Sequence, residues 1–254
     1  MPQKPLGLIC AIPNEIQHFG SAFEKTSEKQ IAGFSFFQGK LDGVETVLVE
    51  AGMGKVNAAV VTTLLIEQFN CRVVLFSGVA GGVDPKLGVG DVIIGTKLIQ
   101  HDYGMIVSDK LTTYQPGHLP IHLPTEKLGY DADAILIDKL LQELEGFDLP
   151  MISAEAAGGK ARKPVITSGT ILTGDQFIGC TVARDRLCDE LGGLAVEMEG
   201  AAIAQVAEHY KVPFIIIRSL SDLAGEESTM DFIKFLEETA GGAALVLRRI
   251  IRLL

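Results

Sequence analysis

Three acidic residues in the C-terminal part of the chain have the types and spacing needed for acid–base chemistry. Glu197 and Glu199 follow the short apolar segment 194–196, and residues two apart on an extended segment point to the same side. Asp222 comes shortly after a second apolar segment, 214–217. The alternative is that the two glutamates only begin a solvated helix, because the helix dipole favours acidic side chains at that end.

The elements between these carboxylates predict how they come together. Apolar residues at three- and four-residue spacing indicate a helix with one buried face, formed by Ala202, Ile203, Val206, Ala207 and Tyr210. Pro213 ends this helix, and the apolar run 214–217 is typical of a strand buried on both faces. Such sheets bind ligands beyond the carboxyl ends of their strands. A site is therefore expected at the polar residues that follow the run, which are Arg218, Ser219, Ser221 and Asp222.

A fourth carboxylate, Glu15, is predicted to lie at the carboxyl end of the first strand. Residues 6–12 indicate a buried strand, and Asn14 is predicted to cap the following helix, with Gln17 completing a capping box. The apolar face of that helix would be formed by Ile16, Phe19 and Phe23. Near the helix start the dipole favours an ionised carboxylate, which a general base must be. The alternative is a helix-start glutamate with no other role.

A glycine-rich loop, 51–55, is a candidate for contact with a ligand. It lies between a predicted strand and a predicted helix, 56–69, so its backbone N–H groups could contact an anion or a ribose. It matches neither common nucleotide motif. Asn57 replaces the third glycine of the dinucleotide fingerprint, and Val56 stands where a P-loop needs Ser or Thr.

Two further predicted strands, 73–76 and 165–172, lead into segments that could contact a ligand. The small residues of 77–82 let a flat ligand lie close to the backbone, or merely allow a tight turn. In the segment 173–178, Phe177 is a candidate stacking surface for a base, although Phe is more often simple core. The remaining predicted elements are a hairpin at 34–41 and 44–50, a strand at 92–99, and helices at 131–144 and 229–254.

Composition excludes several classes of function. The 254 residues are 47% hydrophobic and 21% charged, with a net charge of -10, which argues against surfaces for nucleic acid or anionic membranes. The four cysteines show no CxxC spacing and the apolar start is too short for a signal peptide, so we expect a reducing cytoplasm. No apolar run is long enough to span a bilayer. His118 and His122 are separated by Pro120 and do not suggest a metal site.

Several segments, taken in order, resemble one known superfamily. The chain contains VEMEGAAIAQVA, VPFIIIRSLSD, AGMGKVNAA, FSGVAGGV, VGDVII and TGDQFI, which resemble the nucleoside phosphorylase/nucleosidase superfamily and, within it, most closely the 5′-methylthioadenosine/S-adenosylhomocysteine nucleosidases. The matches run from about residue 6 to residue 223, and only 105–163 lacks a clear counterpart. The resemblance implies one domain over 1–254, an αβα sandwich of three layers around a mixed, twisted sheet, acting as a cytoplasmic homodimer on a small nucleoside without metal or cofactor.

The resemblance also implies a role for each matching residue. Glu15 matches the general base that activates water, Asp222 matches the acid that protonates N7 of the leaving adenine, and Ser221 would orient it. Glu199 matches the carboxylate that binds the ribose hydroxyls. The other matching residues would contact the substrate or water: Phe177 by stacking on adenine, Ile178 by backbone hydrogen bonds to it, Gly81 in the glycine loop, Met198 against the sugar, and Arg218 and Glu197 on the water and ribose side.

These residue types suit cleavage of an N-glycosidic bond. The reaction builds positive charge on the sugar and negative charge on the base, as in other oxocarbenium-like transfers. Carboxylates near the ribose stabilise the positive charge on the sugar, and a proton from Asp222 neutralises the negative charge on the base. That proton is available near neutral pH only if the pKa of Asp222 is raised, which burial beside Phe177 and Leu223 could achieve.

Hydrolysis is favoured over phosphorolysis. Phosphorylases bind phosphate through cationic and amide donors, whereas the loops after the first three strands carry Glu15, Lys55 and no arginine. A phosphorylase remains the alternative. A nucleoside-binding protein without catalysis is a third hypothesis, and the presence of Glu15, Glu199 and Asp222 together argues against it.

Two residues depart from the pattern of the nucleosidases. Ile12 stands where these enzymes often have Met, and Val79 where a Ser often helps to hold the water. The unmatched segment 105–163 lies where the family builds the pocket for the 5′ substituent, partly from the dimer partner. The sequence therefore leaves open the ranking of methylthioadenosine, S-adenosylhomocysteine and other adenine nucleosides such as aminodeoxyfutalosine.

Overall fold

A computed structural model describes residues 3–118 and 127–254, so His122 and Pro120 lie outside the described residues. The strands are β1 (Leu6–Cys10), β2 (Phe23–Ile31), β3 (Phe34–Leu41), β4 (Val44–Glu50), β5 (Val74–Gly82), β6 (Val92–Gln100), β7 (Gly104–Val107), β8 (Lys110–Thr113), β9 (Tyr130–Asp131), β10 (Ile166–Thr173), β11 (Gly193–Glu197) and β12 (Phe214–Asp222). The α-helices are α1 (Pro13–Ile16), α2 (Lys55–Phe69), α3 (Ala134–Glu143), α4 (Thr181–Leu191), α5 (Gly200–Tyr210) and α6 (Ser228–Ile250). Short 3₁₀ turns follow α1 and α6.

A mixed sheet forms the centre of the fold. Its strand order is β11-β10-β6-β12-β5-β1-β4-β3-β2, with β9 added beside β6. The pairs β1–β4, β1–β5, β12–β5 and β10–β6 are parallel, whereas the pairs β12–β6, β2–β3 and β3–β4 are antiparallel. Because β11 also pairs with β5, the strands β5, β12, β6, β10 and β11 close into a ring. The closing of the ring brings the carboxyl ends of β5, β11 and β12 together.

Helices cover both faces of the sheet, as the alternation of side chains along each strand requires. Ile9 and Ile216 pack into one core, with residues of α2 and α5. Their neighbours Leu8 and Ile217 pack into a second core on the other face, with residues of α3 and α6. Successive residues of a strand point to opposite faces, so a strand that is apolar at every position must be covered on both sides. The predicted three-layer α/β architecture is confirmed.

The two central strands are longer than the sequence predicted. We expected strands at 73–76 and 214–217 followed by loops, but β5 continues to Gly82 and β12 to Asp222. The added residues pair with one another in register, for example Arg218 with Gly78 and Ser219 with Val79. Small and polar residues keep strand geometry here because neighbouring strands satisfy their backbone groups. The predicted site residues of β12 therefore lie on a strand and not in a loop.

The sequence prediction was wrong about the extent and the start of the first helix. It was expected to include Phe23, but α1 ends at Ile16, and Phe23 begins the edge strand β2 by pairing with Leu41. The residue before the helix is Ile12, and Pro13 occupies the first helical position, so the predicted cap at Asn14 is wrong. Residues 23–31 form a strand because their backbone pairs with β3, and this pairing outweighs the helical spacing of Ile16, Phe19 and Phe23. Glu15 nevertheless lies in the first turn, as expected.

Other elements agree with the sequence or were absent from the prediction. The hairpin β3–β4 and the helices α2, α3, α5 and α6 are confirmed near their predicted bounds. The polar helix α4 was not predicted, because only Leu187 in it is buried and no apolar period marks it. The hairpin β7–β8 in the unmatched segment was also missed. Among the described residues, no helix combines the length and apolar character that crossing a membrane requires. The assignment of 1–254 to one domain stays a prediction.

Candidate active site

A cavity of about 430 Å³ opens where the carboxyl ends of β1, β5, β11 and β12 meet. Its walls contain most of the residues that the sequence singled out, which are Ile12, Glu15, Val79, Gly81, Phe177, Glu197, Met198, Glu199, Ser221 and Asp222. Ile178 and Arg218 are not among the lining residues. The walls also include residues that the sequence analysis did not single out individually: Ala11, Met53, Ala80, Val196, Thr229, Phe232 and Ile233.

Glu15 is held in the cavity wall by backbone amides. Its Oε2 accepts hydrogen bonds from the N–H groups of Ala11 at 2.7 Å and Ile12 at 3.3 Å, and its Oε1 accepts one from Val79 at 2.9 Å. Burial raises the pKa of Glu15 above its ordinary value, although Arg218 and the three amides act in the opposite direction. Glu15 is therefore an oriented carboxylate that takes up a proton more readily than one in water.

Arg218 lies beneath the cavity and connects its carboxylates. Its Nη2 donates to Glu197 and, at 2.9 Å, to Glu199, while Nη1 is 3.8 Å from Oε1 of Glu15. The guanidinium is fully enclosed, with its Cζ 3.6 Å from the centre of the Phe76 ring. Although burial opposes the charged form, the three carboxylates hold the pKa of Arg218 above its usual value. The predicted contact of Arg218 with the ribose side is thus indirect.

Glu199 is the carboxylate shared between the glycine loop and the arginine. Its Oε1 accepts a hydrogen bond of 2.7 Å from the N–H of Gly54, and its Oε2 accepts from Arg218. Burial raises the pKa of Glu199 to about 7, aided by the negative charges of Glu197 and Glu15 and opposed by Arg218 and by the Gly54 bond. The backbone of Gly54, with φ of 101°, has a conformation that residues with a side chain rarely adopt. The loop 51–55 thus contacts a protein carboxylate through its amide.

Glu197 mainly stabilises the start of α5, although it also lines the cavity. Its oxygens accept hydrogen bonds from the N–H groups of Glu199 at 3.2 Å and of Gly200 at 3.0 and 2.9 Å, at the start of α5. The hydroxyl of Thr173 donates to the same carboxylate and accepts from the N–H of Ala201 at 2.8 Å. Glu197 and Glu199 both contact Nη2 of Arg218, so their carboxylates lie on the same side as expected, although Glu199 lies beyond β11 at the N-cap of α5.

Asp222 faces the cavity from the end of β12. Its Oδ1 accepts a hydrogen bond of 2.9 Å from the N–H of Ala224, and its Oδ2 accepts one of 3.0 Å from the hydroxyl of Ser221. Burial raises the pKa of Asp222, and these hydrogen bonds oppose the shift. The raised pKa and its cause, burial, agree with the sequence analysis, but the apolar neighbours expected there do not enclose the carboxyl group. Phe177 and Leu223 are 50% and 38% exposed, whereas Oδ1 lies beside the N–H of Ala224 and so close to Gly81 that a Cβ added there would be 3.0 Å away.

The apolar wall of the cavity combines the loop after β10 with α6. The ring of Phe177 meets that of Phe232 edge to face, with the ring centres 5.8 Å apart. Ile178 instead packs against a small core beneath the loop, so only its backbone could contact a ligand. Phe232 lies on α6, within the helix predicted at 229–254, but its place in the site depends on how α6 crosses the sheet. No local signal in the sequence indicates that position.

The described residues contain no group of three or more His, Cys, Asp or Glu side chains arranged to hold a metal ion. Chemically, the cavity offers buried carboxylates with raised pKa values, Glu15, Glu199 and Asp222, and an aromatic surface at Phe177. Raised pKa values let such groups take up or give a proton at higher pH than ordinary carboxyl groups. The cavity can therefore perform acid–base catalysis on a flat, partly apolar ligand.

The raised pKa of Glu199 predicts a pH-dependent effect of Glu199→Gln on stability. Since the folded-state pKa, about 7, exceeds the ordinary value of 4.5, this group favours folding below the ordinary pKa and loses that contribution as pH rises through 7. Each pKa unit is worth about 1.4 kcal/mol. We expect the melting temperature of the variant, relative to the unmodified chain, to be higher at pH 8 than at pH 5. An identical difference at both pH values, measured by thermal denaturation, would contradict this origin of the shift.

Known proteins resemble this chain over nearly its whole length. Residues 5–252 match the family model described as the phosphorylase superfamily. A 5′-methylthioadenosine/S-adenosylhomocysteine nucleosidase of Mycobacterium tuberculosis is 47% identical over 249 residues, which cover 98% of this chain and 97% of the relative. Among solved structures, that of the corresponding nucleosidase of Neisseria meningitidis in complex with methylthio-immucillin-A has a TM-score of 0.80 at 33% identity, over 99% of this chain and 100% of the other. The futalosine hydrolase of Helicobacter pylori also has a TM-score of 0.80, at 27% identity, over 99% and 98% of the two chains. The chain therefore belongs to the phosphorylase superfamily and, within it, to the family of 5′-methylthioadenosine/S-adenosylhomocysteine nucleosidases.

Proposed function

We propose that the protein hydrolyses the N-glycosidic bond of 5′-methylthioadenosine and S-adenosylhomocysteine, releasing adenine and the 5′-thio-substituted ribose. The observation that carries the proposal is that one cavity holds Glu15, Glu199 and Asp222, all buried and all with raised pKa values. Relatives over the whole chain carry the name of this activity, which supports the same substrates here.

On the sugar side, Glu15 acts as the general base. Each of its oxygens already accepts hydrogen bonds from backbone amides, and a carboxylate oxygen has a second lone pair that can accept one from water. The amides fix the carboxylate in place, so the attacking water is held in one direction. The raised pKa brings Glu15 closer to neutral pH, where a base is most effective. The amide of Val79 thus contributes to the position of the base although its side chain lacks a hydroxyl.

On the base side, Asp222 acts as the general acid. Burial keeps its carboxyl protonated at higher pH than usual, and the Ser221 hydroxyl fixes its Oδ2. A proton given to N7 of the adenine neutralises the charge that builds on the leaving group. Phe177, in edge-to-face contact with Phe232, provides an aromatic surface against which the base can stack.

Between these two groups, Glu199 binds the ribose hydroxyls and stabilises the positive charge that develops on the sugar. Met198 lies beside it in the wall. The cavity also has apolar walls at Met53, Phe232 and Ile233, which suit a thioether substituent at the 5′ position.

Water is favoured over phosphate as the nucleophile by the charges around Glu15. Among the described residues that line the cavity there is no lysine or arginine. The guanidinium of Arg218, beneath the cavity, is shared among Glu15, Glu197 and Glu199. Phosphate binding normally uses cationic and amide donors whose charge is not already balanced. An anion entering beside Glu15 would therefore meet net negative charge.

Adenine release from methylthioadenosine in buffer without phosphate tests the proposal. We expect free methylthioribose at the same rate with and without added phosphate. Turnover that requires phosphate and yields a sugar 1-phosphate would contradict hydrolysis. Binding of methylthioadenosine without adenine release in either buffer would indicate a protein that binds nucleosides without catalysis.

Glu15→Gln and Asp222→Asn test the two proton-transfer roles. Each variant keeps the size of the side chain, so we expect normal folding and a loss of turnover of about 10²–10⁴-fold, the usual contribution of a positioned acid or base. Circular dichroism checks the fold and adenine release measures turnover. The exposed residues Glu45 and Asp148 provide matched controls, Glu45→Gln and Asp148→Asn. Turnover at the control rate in either site variant would remove that residue from the mechanism.

A homodimer in the cytoplasm is part of the proposal. Support comes from the exposed apolar face of α2, where Val56 is 74% exposed one turn from Val60, next to Met53 at the cavity mouth. All four cysteines are free thiols, as a reducing compartment favours. Cell fractionation tests the compartment.

The effect of Val56→Asp tests the dimer. Light scattering after size exclusion should report a dimer for the unmodified chain and a shift toward monomer for Val56→Asp, because a charge would be buried in the interface. Ile135→Asp, at an exposed apolar position on the opposite face of the sheet, is the matched control and should leave the dimer intact. A monomeric unmodified chain would contradict the proposal.

A further inference from the structure

Lys55, Asp102 and Asp175 form a closed ring of interactions beside the cavity, here named the Lys55 cluster. The Nζ of Lys55 is 2.6 Å from Oδ1 of Asp102. The Oδ2 of Asp102 accepts a hydrogen bond of 2.9 Å from the N–H of Asp175. The ring is completed by Oδ1 of Asp175, which accepts a hydrogen bond of 2.9 Å from the backbone N–H of Lys55. None of these residues lines the cavity.

Each member of the Lys55 cluster belongs to a different part of the site. Lys55 begins α2 and directly follows Gly54, whose N–H donates to Glu199. Asp175 lies two residues before Phe177, in the loop after β10. Asp102 follows β6. The Lys55 cluster therefore joins the ribose side of the cavity, at Gly54, to its base side, at Phe177.

The position of Asp102 is fixed by the sheet. The preceding residue, His101, donates its N–H to the carbonyl oxygen of Thr173 at 2.9 Å, and its own carbonyl accepts from the hydroxyl of Thr113 at 3.1 Å. The pKa of Asp102 is held below its ordinary value: burial acts to raise it, but Lys55 and the Asp175 amide outweigh that effect. Asp102 is thus an ionised anchor with a defined position.

The loop before α2 needs such an anchor. Gly54 caps α2 without a side chain, and both Gly52 and Gly54 have positive φ, so the loop has little stiffness of its own. The carboxylate of Asp175 takes the place of an N-cap side chain at Lys55 and is favoured there by the helix dipole. Lys55 and Asp102 are mostly enclosed, with side chains 18% and 15% exposed, so solvent screens their attraction less than that of a surface pair.

We propose that Lys55 and Asp102 are positioning residues for catalysis, which hold the Gly54 amide on Glu199 and set the gap between the ribose-binding loop and Phe177. The proposal rests on the proposed function. Neither residue touches the reacting atoms; both act through Glu199 and the Phe177 loop. Hydrogen bonds to ribose hydroxyls strengthen in the transition state of glycosyl transfer. Displacement of Glu199 by loss of the Lys55 cluster should therefore lower kcat more than it raises KM.

The test uses Lys55→Met, Asp102→Asn and the double variant, with methylthioadenosine as substrate. We expect kcat to fall roughly 10- to 100-fold in each single variant, the order of loss seen when a catalytic group is misplaced by about 1 Å. KM should change much less. Because the two side chains form one interaction, the double variant should be no slower than the slower single variant. Lys55→Arg should recover much of the activity.

Lys25→Met is the matched control, since Lys25 forms an ion pair of similar length, 2.7 Å, with Glu28 on the exposed edge of the sheet. Its kcat and KM should equal those of the unmodified chain. Losses in the two single variants that multiply in the double variant, or a change confined to KM, would overturn the positioning role.

Amide hydrogen exchange provides a readout that needs no turnover. In Asp102→Asn, the amides of Gly54 and Asp175 should exchange at least about tenfold faster, while amides in the core strand β12 keep their protection. Unchanged protection of Gly54 would overturn the proposal. Absence of turnover in the unmodified chain would contradict the proposed function alone, because the exchange measurement still tests whether the Lys55 cluster holds the loop.

Discussion

The buried guanidinium of Arg218 is the charge on which the rest of the site depends. Three carboxylates from separate elements, Glu15, Glu197 and Glu199, lie within 4 Å of it, and all four side chains are almost fully buried. Buried carboxylates this close together repel one another and become ionised only with a counter-charge. The arrangement also requires Gly78, because a Cβ there would lie 2.2 Å from Nη1 of Arg218 and 2.3 Å from Oε1 of Glu15.

The shared charge divides the carboxylates into different roles. Glu197 is committed to the start of α5 and to Thr173, so it fixes structure. Glu199 is balanced between Arg218 and Gly54, and its pKa lies near neutrality. Asp222 has no hydrogen bond or ion pair to Arg218 among the described contacts, and burial raises its pKa. One cavity thus holds carboxyl groups in environments different enough for one to act as base and another as acid.

The sequence predicted the residue types of the site better than their structural setting. Glu15, Glu199 and Asp222 lie in one cavity because Asp222 ends a strand and the other two closely follow one, and strand ends gather at one edge of such a sheet. The wall formed by Met53, Phe232 and Ile233 could not be predicted, since it depends on how α2 and α6 pack over the opening. The edge strand β2 was missed for a similar reason, because its conformation comes from pairing with β3 and not from its own pattern. Polar α4 lacks the apolar period that marks a helix.

We propose that Glu15 and Asp222, both with pKa values raised by burial, act as base and acid in one cavity. The most direct test is the pH dependence of kcat/KM for methylthioadenosine in the unmodified chain and in Asp222→Asn. A bell-shaped profile is expected for the unmodified chain, because activity needs an ionised Glu15 and a protonated Asp222. The fall on the alkaline side should be absent from the residual activity of Asp222→Asn. The same alkaline fall in both proteins would contradict the role of Asp222 as the general acid.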